Sequence, residues 1–116
     1  FWVAVAYFES GFNPKSESVD VGTKSDKGSW SVGLYQLSGN DNSSKELGGS
    51  YEKLKDPVFN IKVSLVQLKK QVSKRGLFFL LNHDSMRYWA VILKNNRYSQ
   101  IPNVVARVKK NAPKCY

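Results

Sequence analysis

The sequence predicts a mainly α domain with a small irregular β-hairpin or loop region between the first helix and the next. Three observations carry that expectation. Apolar residues recur at helical spacing over residues 2–9 and again over 58–72. A polar connector rich in Ser, Gly and Lys, with short β-compatible pieces, follows the first of these runs. Asp56-Pro57 then marks a helix start, an N-cap residue followed by proline at the first helical position.

The first helix places Trp2, Val5, Ala6 and Glu9 on one face at i, i+3, i+4, i+7 spacing. It is expected to end near Gly11, because Asn13-Pro14 disfavours further α geometry. Glu9 therefore falls on the apolar face, in the last turn. A carboxylate there opposes the helix dipole and, when buried, is poorly solvated, and both effects raise its pKa. An ordinary surface glutamate would stand on the opposite side of the helix.

Residues Lys15 to Ser31 read as a long loop or small irregular hairpin, with Ser18-Val19-Asp20-Val21 as a β-compatible piece. Ser31 to Ser38 is apolar and compact, and Gly39 to Gly49 is a second polar connector. From Asp56-Pro57 onward, Val58, Ile61, Leu65, Leu68 and Val72 form an unbroken apolar stripe with Lys62, Lys69 and Lys70 largely off it. That pattern predicts an amphipathic helix ended by Gly76. A further helix is expected from Asp84-Ser85 through Trp89, Ile92 and Leu93 to Asn95-Asn96. The last begins near Pro102, turns Val104, Val105 and Val108 inward, and stops before Pro113.

The length, 116 residues, is one domain's worth. Lys and Arg total 18 against nine Asp and Glu, a formal net charge of +9. Such a balance favours an anionic partner: nucleic acid, acidic membrane or an acidic cell-wall polymer, against the bland reading of a well-solvated surface. No dense Arg/Lys run or nucleic-acid motif is present, so no nucleic-acid partner is expected. No apolar stretch approaches the roughly 20 residues of a bilayer span. Cys115 is the lone cysteine and His83 the lone histidine, which leaves no intrachain disulfide and no zinc or redox cluster; no metal or cofactor is expected. The chain opens inside the apolar run Phe1 to Ala6 with no initiator Met, basic leader or small-residue cleavage site. Residues 1–116 are accordingly expected to form one domain of a longer chain.

Three blocks, in order, resemble the soluble lytic transglycosylase family of the lysozyme superfamily. Ala4 to Pro14 is similar to that family's helix ending in Glu-Ser and followed by an aromatic and Asn-Pro. Gly33-Leu34-Tyr35-Gln36-Leu37 resembles the Gly-Leu-Met-Gln-hydrophobe segment that lines the groove beside the catalytic Glu, with Tyr35 in place of Met. Asp56 to Ile61 looks like the Asp-Pro-x-x-Asn-Ile helix start, a structural block. The family's Ala-Tyr-Asn motif falls after Trp89 to Leu93, where Lys94-Asn95 stands for Tyr-Asn. The connector before Gly33 is longer than in typical members and is similar to goose-type lysozyme, whose Asp-x-Gly stretch resembles Asp26-Lys27-Gly28. A second groove-lining Asp of that relative falls at Ser38.

The resemblance implies a lysozyme-like fold and a muramidase acting on the MurNAc–GlcNAc bond of peptidoglycan. It places the catalytic acid on Glu9. In a lytic transglycosylase one carboxylate suffices, because the muramic acid's own 6-hydroxyl attacks C1 and leaves a 1,6-anhydro product. In a goose-type hydrolase Asp26 would position water, with a turn residue as its alternative role. A degenerate wall-binding module is a third reading, kept open by Lys94. Gln36 and Asn95 are candidates for holding sugar amide or hydroxyl groups, and Ser10 for orienting Glu9 or ending its helix. Tyr35, Trp30 and Tyr98 are candidates for stacking on sugar faces. The expected partner is peptidoglycan, whose carboxylates and phosphates suit the +9 charge. The expected setting is the cell envelope, on the periplasmic or wall side, with a module of a larger phage virion protein as one form of delivery.

Overall fold

The computed structural model describes residues 1–19, 30–75, 89 and 100–111. Helix α1, Trp2–Ser10, ends on Gly11, whose left-handed backbone (φ 61°) lets its N–H reach Tyr7 O at 2.7 Å. Glycine enters that region without a Cβ penalty, so the stop predicted near Gly11 has a local cause. Val5 and Ala6 are buried and Val3 is exposed, as the helical spacing requires.

Three two-residue strands follow: β1 (Glu17–Ser18), β2 (Ser31–Val32) and β3 (Leu37–Ser38), antiparallel in the order β1-β2-β3. Glu17 pairs with Val32, and Val32 with Leu37, so the two buried aliphatic side chains lie opposite each other. The polar connector expected between Gly39 and Gly49 holds a short helix that sequence reading missed, α2 (Asn42–Glu46). Its Ser43 and Ser44 are buried, and polarity alone concealed it. Contact with the next helix accounts for its formation: Ser43 Oγ donates to Gln67 Oε1 at 2.6 Å, and Lys70 bridges Glu46 at 2.7 Å.

After a 3₁₀ turn at Lys53–Lys55 comes α3, Pro57–Arg75. Asp56 caps it: Oδ1 accepts the Phe59 N–H at 2.7 Å and the carbonyl accepts the Asn60 N–H at 2.9 Å. The face it buries differs from the predicted stripe. Val58 and Leu65 are 59% and 49% exposed and Ile61 is exposed, whereas Asn60, Val63 and Ser64 are fully buried; only Leu68 and Val72 of the stripe pack on the core. The helix is thus turned by roughly a third of a turn from the apolar reading. The cause is polar: the Asn60 side chain satisfies buried backbone groups, and that requirement outweighs the burial of two or three aliphatic side chains.

The last described helix, α4 (Ile101–Asn111), packs against α1 with Val104 buried. Trp89 lies at the centre of the core, edge-on to Trp2 at 4.7 Å between ring centroids, while Trp2 stacks on Tyr35 at 4.9 Å. The rest of the helix expected over 84–96, and Gly76, His83 and Cys115, lie outside the described residues. The architecture is mainly α with a small three-stranded antiparallel sheet, consistent with a lysozyme-like fold. No described helix is long and apolar enough to cross a membrane.

Candidate active site

Glu9 sits in the last turn of α1, partly buried, on the face shared with Trp2, Val5 and Ala6. Burial pushes its carboxyl up from the ordinary glutamate range to about 7. Desolvation is the whole of the cause, and no cation or hydrogen-bond donor among the described residues offsets it. The side chain therefore keeps a substantial protonated fraction at neutral pH and is largely protonated below it, the state a proton donor needs.

The end of α1 is tied to the β2–β3 turn by its neighbour. Ser10 Oγ is shared between Ala6 O, one helical turn back, and Leu34 O, each at 3.0 Å. This hydroxyl both finishes the helix and fixes the turn against it, so the two sequence readings of Ser10 converge on one geometry. It makes no hydrogen bond to Glu9.

The turn itself, Gly33–Gln36, is held from below by Asn60. Its Oδ1 accepts the Tyr35 N–H at 3.0 Å, and its Nδ2 donates to Val32 O and Leu54 O, both at 2.9 Å. A Cβ on Gly33 (φ 80°) would stand 2.3 Å from Asn60 Nδ2 and 2.6 Å from Leu54 O, so only glycine fits. The sequence block Asp56 to Ile61 contains this asparagine, and its position on a polar flank of an apolar stripe gave no hint of what it satisfies.

Gln36, in a left-handed conformation (φ 47°), spends its amide within the fold. Nε2 donates to Ser16 O at 3.1 Å and Gly33 O at 3.0 Å, and Ser18 Oγ donates to Oε1 at 2.6 Å. It fastens β1 to the turn. Tyr35 is 4% exposed, one ring face stacked on Trp2, its hydroxyl donating to Trp2 O at 3.2 Å and its carbonyl accepting from Trp89 Nε1 at 2.9 Å. Burial pushes its phenol up to about 12. Tyr35 is thus a core residue, and the expected stacking on a sugar face is corrected: no ring face is open to solvent. Trp30 is half-buried and edge-on to Tyr51 at 6.3 Å. Asp26, Asn95 and Tyr98 lie outside the described residues, as does Lys94.

A second glutamate near the sheet, Glu17 on β1, is treated differently by its surroundings. It is exposed, accepts a hydrogen bond from the Tyr51 hydroxyl and pairs with Lys55 at 3.0 Å. That bond holds the Lys55 ammonium above its ordinary range.

The family model described as Transglycosylase SLT domain matches residues 1–112. The chain belongs to this family. Its members are peptidoglycan lytic transglycosylases, so this SLT domain is an enzyme of the cell wall with peptidoglycan as its substrate. No curated protein and no solved structure gives a significant match. No group of three or more metal-ligating side chains occurs among the described residues of the SLT domain.

Proposed function

We propose that this SLT domain cleaves the MurNAc–GlcNAc bond by intramolecular transglycosylation, with Glu9 as both acid and base. The observation that carries the reading is the burial of Glu9 without a charged partner among the described residues, which leaves it protonated up to about pH 7. The protonated carboxyl gives its proton to the bridging oxygen, the C1–O bond breaks, and GlcNAc leaves with a 4-hydroxyl. The 6-hydroxyl of the same muramic acid then attacks C1, and its proton returns to Glu9. The product is a 1,6-anhydro ring, no water is consumed and the enzyme is restored. A single carboxylate alternating between its two states supplies both proton transfers.

In this reading Ser10, Asn60 and the Gly33–Gln36 turn act through position, holding the end of α1 and the adjoining turn as one rigid unit. Gln36 supports the site as a fastener of β1 rather than by offering a free amide. Trp30, Asn95 and Tyr98 remain the proposed sugar contacts.

The test is digestion of purified peptidoglycan by wild type and by Glu9→Gln, with mass analysis of the released muropeptides. Wild type is expected to release 1,6-anhydro products and the variant none. Reducing-end products would replace this reading with hydrolysis and bring Asp26 forward as the residue that positions water. Binding without cleavage would leave a wall-binding module.

A further inference from the structure

On the side of α1 away from Glu9, α1 and α4 enclose a groove that the proposed chemistry does not use. At about 100° per residue, Tyr7 stands roughly 160° around α1 from Glu9. A pocket of about 410 Å³ opens there between Tyr7 and Phe8 of α1 and Asn103, Arg107, Lys110 and Asn111 of α4. The α4 residues recur at i, i+4, i+7 and i+8, so they share one face. No acidic side chain among the described residues lines the pocket.

Arg107 is the organising group. Its guanidinium carbon lies over the Tyr7 ring, 3.6 Å from the centroid. The cation–π contact holds the guanidinium in the groove, and its forked N–H donors suit bidentate capture of a carboxylate. Lys110 is exposed one turn further along, and the amides of Asn103 and Asn111 flank the pair.

A second pocket of about 330 Å³ continues from the first and shares Arg107 and Asn111 with it. Its other walls are apolar: Phe1, Val3, Ala4, Phe12 and Val108. Val3 is 69% exposed, so this end of the groove is open apolar surface. A cationic end continuous with an apolar end fits an occupant carrying both a carboxylate and small hydrocarbon groups. A phosphate polymer supplies only the first.

We propose that the α1–α4 groove binds the peptide stem of peptidoglycan, a short acidic peptide with alanine methyl groups. A stem carboxylate sits on Arg107 and Lys110, and alanine side chains lie toward Phe12 and Val108. The proposal rests on peptidoglycan as the substrate and adds a second point of attachment outside the Glu9 cleft, where it would raise the effective concentration of the glycan.

The probe is the sugar-free N-acetylated pentapeptide N-acetyl-L-Ala-γ-D-Glu-L-Lys-D-Ala-D-Ala, whose carboxylates outnumber its ammonium, titrated into the wild-type domain by calorimetry at low and high salt. Binding is expected to weaken with salt. It should weaken by about tenfold in Arg107→Gln and by about threefold in Lys110→Gln, and be unchanged in Glu9→Gln. Lys110 is exposed, so its variant keeps the fold and isolates the charge. In parallel, Lys110→Gln should slow cleavage of intact peptidoglycan and leave cleavage of amidase-stripped, peptide-free glycan at the wild-type rate. Equal peptide binding in all variants overturns the proposal, as does an equal loss on intact and stripped glycan. Displacement of the peptide by equimolar inorganic phosphate also overturns it, in favour of a plain anion site. If wild type cleaves nothing yet binds the peptide through Arg107, the cleavage reading fails and this site stands.

Discussion

Two glutamates eight residues apart, Glu9 and Glu17, are given opposite environments by the fold. Glu9 is partly buried at the end of α1 with no charged partner among the described residues, and its carboxyl titrates near 7. Glu17 is exposed on an edge strand and clasped by the Tyr51 hydroxyl and the Lys55 ammonium. The first is a reservoir for a proton, and the second is a fastener that holds β1 against the 51–55 segment. The side chain is the same, so the surroundings alone make one suited to hold a proton and the other to hold the sheet.

The largest effect that separates them is on activity. Glu9→Gln should lower muropeptide release by at least about 100-fold, the usual worth of a positioned acid. Glu17→Gln should stay within about threefold of wild type in the same assay. Comparable losses in the two variants would break the contrast and make Glu17 part of the chemistry.

Next in size is the support beneath the site. Asn60→Ala strips partners from a buried N–H and two buried carbonyls, and should cost about 3–5 kcal/mol in chemical denaturation. A loss under about 1 kcal/mol would mean that the turn is held by other contacts.

The pH dependence sharpens the contrast further. The Glu9 carboxyl titrates higher in the folded chain than in the unfolded one, so the unfolded state ionises first as pH rises. The wild type therefore loses stability from about pH 4.5 to about pH 7 and levels off above. Glu9→Gln removes that loss. The variant should be more stable than wild type by up to about 3 kcal/mol at pH 8, with little difference at pH 4. Activity should hold below about pH 7 and fall above it, as the donor proton is lost. A Glu9→Gln stability difference that does not vary with pH would contradict the burial argument.

The smallest effect belongs to the clasp. Glu17→Gln should change stability by no more than about 1 kcal/mol, because an exposed ion pair is screened and costs side-chain freedom to hold. A larger loss would show that β1 depends on it.

Much of this was legible in order along the chain. The spacing of Trp2, Val5, Ala6 and Glu9 placed the carboxylate on the inner face of α1, and the stop at Gly11 followed from local backbone preference. Asp56-Pro57 located the start of α3, where Asp56 caps the first turn. The inward set of α3 was not legible, because Asn60 and Ser64 look polar until the groups they satisfy are brought beside them. Tyr35 illustrates the same limit. An aromatic within a groove-like motif reads as a platform, and only the Trp2 ring across from it makes it core.

The sequence by itself determined the mainly α character, the place of Glu9 in the last turn of an apolar face and the strongly basic balance. These depend on neighbours within a few residues or on a sum over the chain. Tertiary structure decided which face of α3 goes inward, that Gln36 and Tyr35 serve the fold, that Glu17 is clasped, and that Arg107 lies over Tyr7. Each of those rests on at least one partner between 18 and 100 residues away, and the rule is physical: a buried hydrogen-bonding group must find its partner wherever the chain returns it.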